Sequence, residues 1–403
     1  MRNRIISLAR GFQKPTLFQF KIVFCFLLNN SFYAHTMNKG TLATTLLATN
    51  KSVKPDSNLI FSPYKTEAGN DSLFLPELKI GGYVSTYFAT NDDDNLYNGF
   101  VLFPTLEPRK NQLSLNMALI SLNYTNQNVR GNIVLHYGDV PESSWPKTFN
   151  LIQEANGGFR LAKKLWLDAG FFKTHVGLES FQPRENITTS MSIVNFYEPY
   201  FLSGAKLTYY ASSKLSLQVN VFNGYNEYLD NNKNKAIGFS TSYTINDNLM
   251  LNYNFLTSDE SPDNSPIKHQ RFYNNFYATF HLNKLTLGAE ANFGLQKNSV
   301  LTDTTKTASL YSGLIVAKYQ VLKVLAPFAR LETFNDPNKI LTGSLDIGKY
   351  IYGTTVGIEF KPYKTVSLNA EWRILQADNL IFKQANKIVN QRNEFNLCLD
   401  LWF

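Results

Sequence analysis

The stretch at 394–403 reads EFNLCLDLWF. Phe395, Leu397, Leu399, Leu401 and Phe403 alternate with Glu394, Asn396, Cys398, Asp400 and Trp402. A period of two is that of a β-strand with one apolar face and one mostly polar face. Taken alone, the stretch fits either an edge strand of a soluble sandwich or the last strand of a closed membrane barrel. Its apolar face runs to the final residue, where chain ends ordinarily fray. A barrel in lipid must pair its last strand, because an open edge leaves backbone N–H and C=O groups unsatisfied.

The composition narrows the choice. Of 403 residues, 14% are aromatic, with 31 Phe and 22 Tyr, and only 17% are charged. The mean hydropathy of −0.22 excludes a bundle of membrane helices. Many aromatics, few charges and no average hydrophobicity are what alternating membrane strands produce, since lipid-facing and water-facing residues cancel. The net charge of +8 is concentrated at the start. Arg2, Arg4, Arg10, Lys14 and Lys21 lie in the first 34 residues, which hold no acid; removing these five from +8 leaves +3. That remainder is too small and too evenly spread for a nucleic-acid partner.

Residues 1–34 follow the order of a secretory signal peptide: a basic start, an apolar run at 15–28 interrupted by Lys21, and a polar or small-residue zone ending at Ala34. The run after Lys21 is too short to span a bilayer. Residues 22–24 before Cys25 lack the small residues of a lipobox. Cys25 would leave with the leader, so no disulfide to Cys398 is expected in the mature chain. Residues 35–76, rich in Thr, Asn, Ser and Lys, read as a polar linker.

From residue 77 to 403, alternating segments predict about sixteen strands. They lie near 78–90, 111–125, 127–139, 150–163, 164–177, 200–212, 213–225 and 235–245. The others lie near 247–258, 271–283, 284–297, 307–319, 321–334, 349–361, 363–376 and 390–403. Seven tight turns, at 126, 162–164, 212–213, 246–247, 283–284, 319–320 and 362, interleave with eight long loops. Alternating short turns and long loops are expected of an outer-membrane barrel. The fold class is therefore all-β: a transmembrane, antiparallel, up-and-down barrel with both chain ends on the short-turn side. Aromatics near strand ends (Tyr83, Tyr87, Phe88, Tyr209, Tyr210, Phe272, Tyr273, Tyr350 and Tyr352) are expected to form interfacial girdles facing outer-membrane lipid.

Four stretches resemble the OmpL-like β-barrel porin-2 family: KIGGYVSTYF (79–88), VRGNIVLHYGDVP (129–141), IQEANGGFRL leading into LWLDAGFF (152–172), and ARLETFND (329–336). With the terminal Phe403, the likeness covers 77–403. It implies an outer-membrane barrel of a Gram-negative bacterium acting as a porin, with small hydrophilic solutes and no defined substrate or catalytic residue. The long leader, broken by a lysine, and the polar spacer depart from the family pattern. A terminal aromatic at Phe403 resembles the signal that barrel-assembly machinery reads. Many sixteen-stranded porins are trimers, so a homotrimer is expected without any face marked for it.

The register places Arg130, Glu154, Arg160, Asp168, Lys206, Glu290, Arg330, Glu332, Glu359, Glu371, Arg373, Glu394 and Asp400 on the lumen side. Such a wall either sets a field that filters solutes, its mild acid excess hinting at cations, or simply pairs its charges internally. Arg330 with Glu332, and Glu371 with Arg373, are expected side by side on the wall. The loop at 178–199 follows the fifth strand, as does the inward-folding loop of many sixteen-stranded porins. It either folds into the lumen or lies over the mouth. Glu179, Arg184 and Glu185 would be its charged contributors, with a short helix near 187–194.

Enzyme readings find little support. The histidines, His35, His136, His175, His269 and His281, show no metal-ligand spacing, and no cofactor is implied. His136 is expected in the lumen and His175 at the outer rim. Gly81, Gly82, Gly157 and Gly158 lie inside strands, where they relieve crowding or bend the sheet. The functional expectation is passive diffusion of small hydrophilic solutes. Its alternatives are a substrate-selective channel for oligosaccharides or peptides, with Tyr197 and Tyr200 as an aromatic track, and a barrel enzyme or adhesin.

Overall fold

The computed structural model describes residues 76–230 and 232–403, so the expected signal peptide and nearly all of the linker lie outside the described residues. The chain forms one closed antiparallel barrel of sixteen strands. They are β1 (Glu77–Asn91), β2 (Leu113–Thr125), β3 (Val129–Tyr137), β4 (Ile152–Ala162), β5 (Leu165–Lys173) and β6 (Phe201–Tyr210). Next come β7 (Leu215–Phe222), β8 (Ala236–Asn246), β9 (Leu249–Asp259), β10 (Gln270–Leu282) and β11 (Leu285–Gln296). The last are β12 (Ala308–Tyr319), β13 (Leu325–Asn335), β14 (Tyr350–Tyr363), β15 (Val366–Ala377) and β16 (Gln391–Trp402). Every strand pairs with its neighbours in sequence, and β16 pairs with β1, with Tyr83 opposite Trp402 and Asn91 opposite Glu394.

Local chemistry explains the tight turns. Asn126 Oδ1 accepts from the N–H groups of Asn128 and Val129, and Asn246 Oδ1 from those of Asn248 and Leu249. Ser212 Oγ does the same for Lys214 and Leu215. A short polar side chain that mimics a backbone acceptor closes each reversal. The turn expected at Pro362 instead falls at 364–365, because β14 carries a register shift between Phe360 and Tyr363 that lets the strand run past the proline. The expected fifth strand also ends early, at Lys173, where the chain leaves the wall for the lumen.

The outer face is apolar in strand after strand. Leu397, Leu399 and Leu401 on β16 and Leu368, Trp372 and Ile374 on β15 are all exposed. Burying such surface against lipid hydrocarbon is what this face is built for. Among the described residues no helix is long and apolar enough to cross a membrane.

The girdle expectation needs a correction. Phe88, Tyr209, Phe272, Tyr350 and Tyr352 lie outside, but Tyr83, Tyr87, Tyr210 and Tyr273 share the parity of the lumen face and point inward. Each gives its hydroxyl a polar partner there. Tyr83 donates to Asp400 (2.6 Å), Tyr87 to Asp139 (2.7 Å) and Tyr273 to Glu198 (2.8 Å), while Tyr210 accepts from Arg130 (3.2 Å). A phenol with a carboxylate in reach is held by that bond rather than by the interface.

Candidate functional site

After β5 the chain enters the barrel. Residues 178–200 are mostly buried although they belong to no barrel strand. The expected helix near 187–194 is replaced by two shorter elements, a 3-10 turn at Pro183–Glu185 and a helix, α2, at Ile193–Tyr197. An earlier helix, α1 (Asp139–Ser144), lies in a stretch read as plain loop. Ser192 caps α2, its Oγ accepting from Asn195 N–H (3.3 Å). Between the two elements the backbone has no regular partners, so its polar groups must be satisfied by side chains.

The barrel wall supplies them. Arg330 is fully buried and donates through Nη1 to Glu179 Oε1 (2.9 Å), Thr188 Oγ1 (2.9 Å) and the Ser190 carbonyl (2.7 Å). Its Nη2 reaches Ser190 Oγ (3.0 Å) and Glu332 Oε1 (3.3 Å). Glu332 Oε2 accepts from the N–H of Ile193 (2.6 Å), and Glu371 Oε2 from those of Thr189 (2.9 Å) and Ser190 (3.1 Å). Glu290 Oε2 accepts from Leu178 N–H (2.9 Å). Strands β11, β13 and β15 thus hold the loop by its main chain, with charge-assisted bonds stronger than neutral ones.

The expected side-by-side pairs part company here. Arg330 and Glu332 are together, but Arg373 donates to Glu332 (2.7 Å) across β14 while Glu371 is taken by the loop backbone. One oxygen of Glu371 takes both N–H groups, of Thr189 and Ser190.

The loop's own charged residues also have partners. Glu179 faces Arg330, and Glu185 pairs with Lys173 and accepts from Ser180 Oγ (2.6 Å). Burial raises the Glu185 carboxyl, but Lys173 and Ser180 bring it below its ordinary value. Arg184 lies over the Tyr83 ring at 4.7 Å. The loop is held on its other flank by Gln182, which donates to Gln153 (3.0 Å).

The remaining charges expected on the wall are placed as follows. Arg130 forms a buried double hydrogen bond with Asp168 and lies 4.5 Å over the Trp166 ring. Gly158 makes room for that pair, since a Cβ there would lie 2.1 Å from Asp168 Oδ1. Glu154 accepts from Lys173 N–H (3.1 Å), and Arg160 donates to Asn128 at the turn end (3.2 Å). Lys206 lies 3.9 Å over the Phe172 ring. Glu359 pairs with Lys318 (3.2 Å), Glu394 with Arg392, and Asp400 accepts from Tyr83.

A second segment enters the lumen that sequence reasoning missed. Residues 103–107, read as external loop, place Phe103, Leu106 and Glu107 in the interior. Asn116 donates to the Leu106 carbonyl (3.0 Å), and Thr105 Oγ1 donates to Glu394 (3.3 Å). Burial, and then the nearby charges of Glu394 and Glu371, push the Glu107 carboxyl up to about 8. No local pattern marks this segment. Arg392 was findable, because it extends the period-two polar face of its strand; Lys318 ends an inward face that is mostly apolar (Leu310, Leu314 and Val316) and carries no such signal.

His136 is lumenal, stacked edge-on against Trp145 with centroids 4.7 Å apart. His175 lies at the long-loop end of the wall, two residues beyond Lys173. It turns inward, against Phe222 and Gly238, because the chain has already left the wall at Lys173. Burial first, and Lys206 second, lower the His175 imidazole to about 4. Cys398 is a buried free thiol beside Glu107.

Residues 77–403 match the family described as "Putative beta-barrel porin-2, OmpL-like". Solved structures with the same fold include the outer-membrane channel DcaP of Acinetobacter baumannii, 12% identical over 85% of this chain and 100% of that one, TM-score 0.57. An anion-selective porin from Comamonas acidovorans is 9% identical over 82% and 100%, TM-score 0.54. The trimer form of Vibrio cholerae OmpT is 11% identical over 81% and 99%, TM-score 0.54. No curated protein matches the chain.

Proposed function

Because the chain belongs to the OmpL-like β-barrel porin-2 family, we propose that its inward loop is the constriction of a passive diffusion channel for small hydrophilic solutes. The protein is a porin of the Gram-negative outer membrane. The observation that carries the constriction is the main-chain attachment of residues 178–193 to Arg330, Glu332, Glu371 and Glu290 across the lumen. A loop held that way narrows the lumen at one fixed level, and the width left beside it sets the size limit.

The wall charges act as anchors first and as a filter second. Glu332, Glu371 and Glu290 each give at least one oxygen to a loop N–H group, so the count of acids overstates the field that a solute meets. The chemistry is physical: polar wall groups replace lost hydration and no bond is made or broken.

Planar-bilayer recording on the refolded protein tests the reading. Stepwise open-channel current is expected, and Arg330→Ala should widen or destabilise it. A barrel that inserts but stays silent would remove the channel. The trimer form recorded for Vibrio cholerae OmpT supports a homotrimer here; migration at a threefold mass on unheated gels is the check. Phe403 is read as the signal for barrel-assembly machinery, and the exposed leucines of β16 as its lipid face.

A further inference from the structure

At the long-loop end a cavity of about 340 Å³ lies between α2 and the loops that follow β7 and β13. Phe196, Tyr197 and Tyr225 supply rings to its lining; Glu198, Glu227 and Arg271 supply charge. The rings are fixed from behind. Tyr197 stacks on Phe334 with centroids 5.7 Å apart, Phe196 meets Tyr200 edge-on at 5.6 Å, and Tyr225 donates to the Tyr197 carbonyl (2.9 Å).

The charge of this cavity is one-sided. Arg271 is held on three sides: Nε donates to Gln296 (2.8 Å), Nη2 to the Ile340 carbonyl (3.1 Å), and Nη1 lies 3.4 Å from Glu260. Its guanidinium also lies 4.8 Å over the Tyr225 ring. Its charge is already met by Glu260, which leaves little of it for an anion. Glu198 accepts from Tyr273 and the amides of Asn195 and Asn275 and lies beside the Glu290 carboxyl, with no cation on it among the described residues. Glu227 is half-buried, with neither a hydrogen bond nor an ion pair to its carboxylate among the described residues. Glu227 therefore presents an unneutralised charge to whatever enters the cavity, and a cation that reaches it gains a charge-assisted bond.

We propose that this cavity captures organic ammonium solutes, amines with a ring or other apolar body, before they pass the constriction. The ammonium would donate to Glu227 as a charge-assisted hydrogen bond. The body would lie against Phe196, Tyr197 and Tyr225, whose faces also attract the cation. A carboxylate solute meets the repulsion of Glu227, with Arg271 already paired to Glu260; a neutral alcohol leaves Glu227 uncompensated. The inference deepens the porin reading and rests on it only for where the solute goes next.

The test uses the full chain refolded in detergent, titrated calorimetrically with 2-phenylethylammonium chloride. Saturable binding is expected, at least about tenfold weaker for 2-phenylethanol and absent for 3-phenylpropionate. Glu227→Gln should weaken amine binding about tenfold or more while keeping heat-modifiability, and Glu142→Gln, exposed on α1, should change nothing. Absent binding, or equal binding by a heat-modifiable Glu227→Gln, overturns the capture site. The same amine added to one side of a bilayer separates the two readings. A conducting barrel that the amine neither binds nor blocks loses the capture site and keeps the channel. A barrel that binds the amine but carries no current keeps the site and loses the channel.

Discussion

The ring of Phe403 lies against Gly82 of the first strand. A Cβ at residue 82 would be 2.2 Å from Phe403 Cζ, so only glycine lets the ring settle there. The backbones close the same contact: Gly82 N–H donates to the Phe403 carbonyl (3.0 Å) and Phe403 N–H to the Gly82 carbonyl (3.1 Å). The last residue is thus the end of the β1–β16 seam, an aromatic cover over a glycine in a neighbouring strand.

Deleting Phe403 should therefore do two things at once. It removes two backbone hydrogen bonds, each worth about 0.5–1.5 kcal/mol net, and uncovers Gly82. The heat-modifiable fraction in outer membranes should fall severalfold. Gly82→Val, which expels the ring but keeps the terminus, should cause a milder loss, and Phe403→Tyr almost none. Normal assembly of the deletion would show that the seam does not need its last residue.

Arg330→Ala should release the inward loop. It leaves Glu179 buried without its cation and takes one of two donors from the Ser190 carbonyl, and breaking a buried pair costs about 3–5 kcal/mol. Single-channel current should rise or become noisy, with faster proteolysis at 179–192. Arg330→Lys keeps the charge but loses the fork that reaches Glu179, Ser190 and Glu332 together, so it should fall between the two. Unchanged current and protease resistance in Arg330→Ala would mean that the loop is held by other means.

The segment at 103–107 should be pH-sensitive. Glu107 in water loses its proton near 4.5 but in place keeps it to about 8. Between those values the released segment binds fewer protons than the seated one, so seating weakens as pH rises. Its contribution is full below pH 4.5 and levels off above about 8. Amide exchange at 103–107, corrected for intrinsic rates, should quicken across that window, and Glu107→Gln should flatten the trend. Protection that grows with pH would reverse the sign and discard the account.

Ion selectivity should be weak. The wall acids are mostly engaged: Asp168 by Arg130, Glu359 by Lys318, Glu394 by Arg392 and Glu332 by two arginines. The potassium-to-chloride permeability ratio, from reversal potentials under a salt gradient, should lie within a few-fold of one. A strongly cation-selective current would mean that the unbonded acids dominate after all.

Much of this was legible in the chain. Strict alternation in EFNLCLDLWF and its counterparts fixes which side chains share a face, since a strand has only two. That is why the thirteen charged residues assigned to the lumen side all share the inward register. Tyr83 and Tyr87 face the lumen because parity is a stronger constraint in a ladder than aromatic character.

What alternation cannot reach is everything that leaves the ladder. Nothing local in residues 178–200 or 103–107 says that their backbones will be satisfied by Arg330, Glu371 or Asn116, which lie far away in sequence. Strand pairing is periodic and so is written along the chain. The seating of a loop depends on which distant donors and acceptors the closed barrel happens to bring within 3 Å. Alternation along the chain thus carries the barrel, its strand count and the partner of its last strand. That the wall charges hold an inward loop by its main chain, and that Phe403 ends the seam on Gly82, follow from contacts that exist once the barrel has closed.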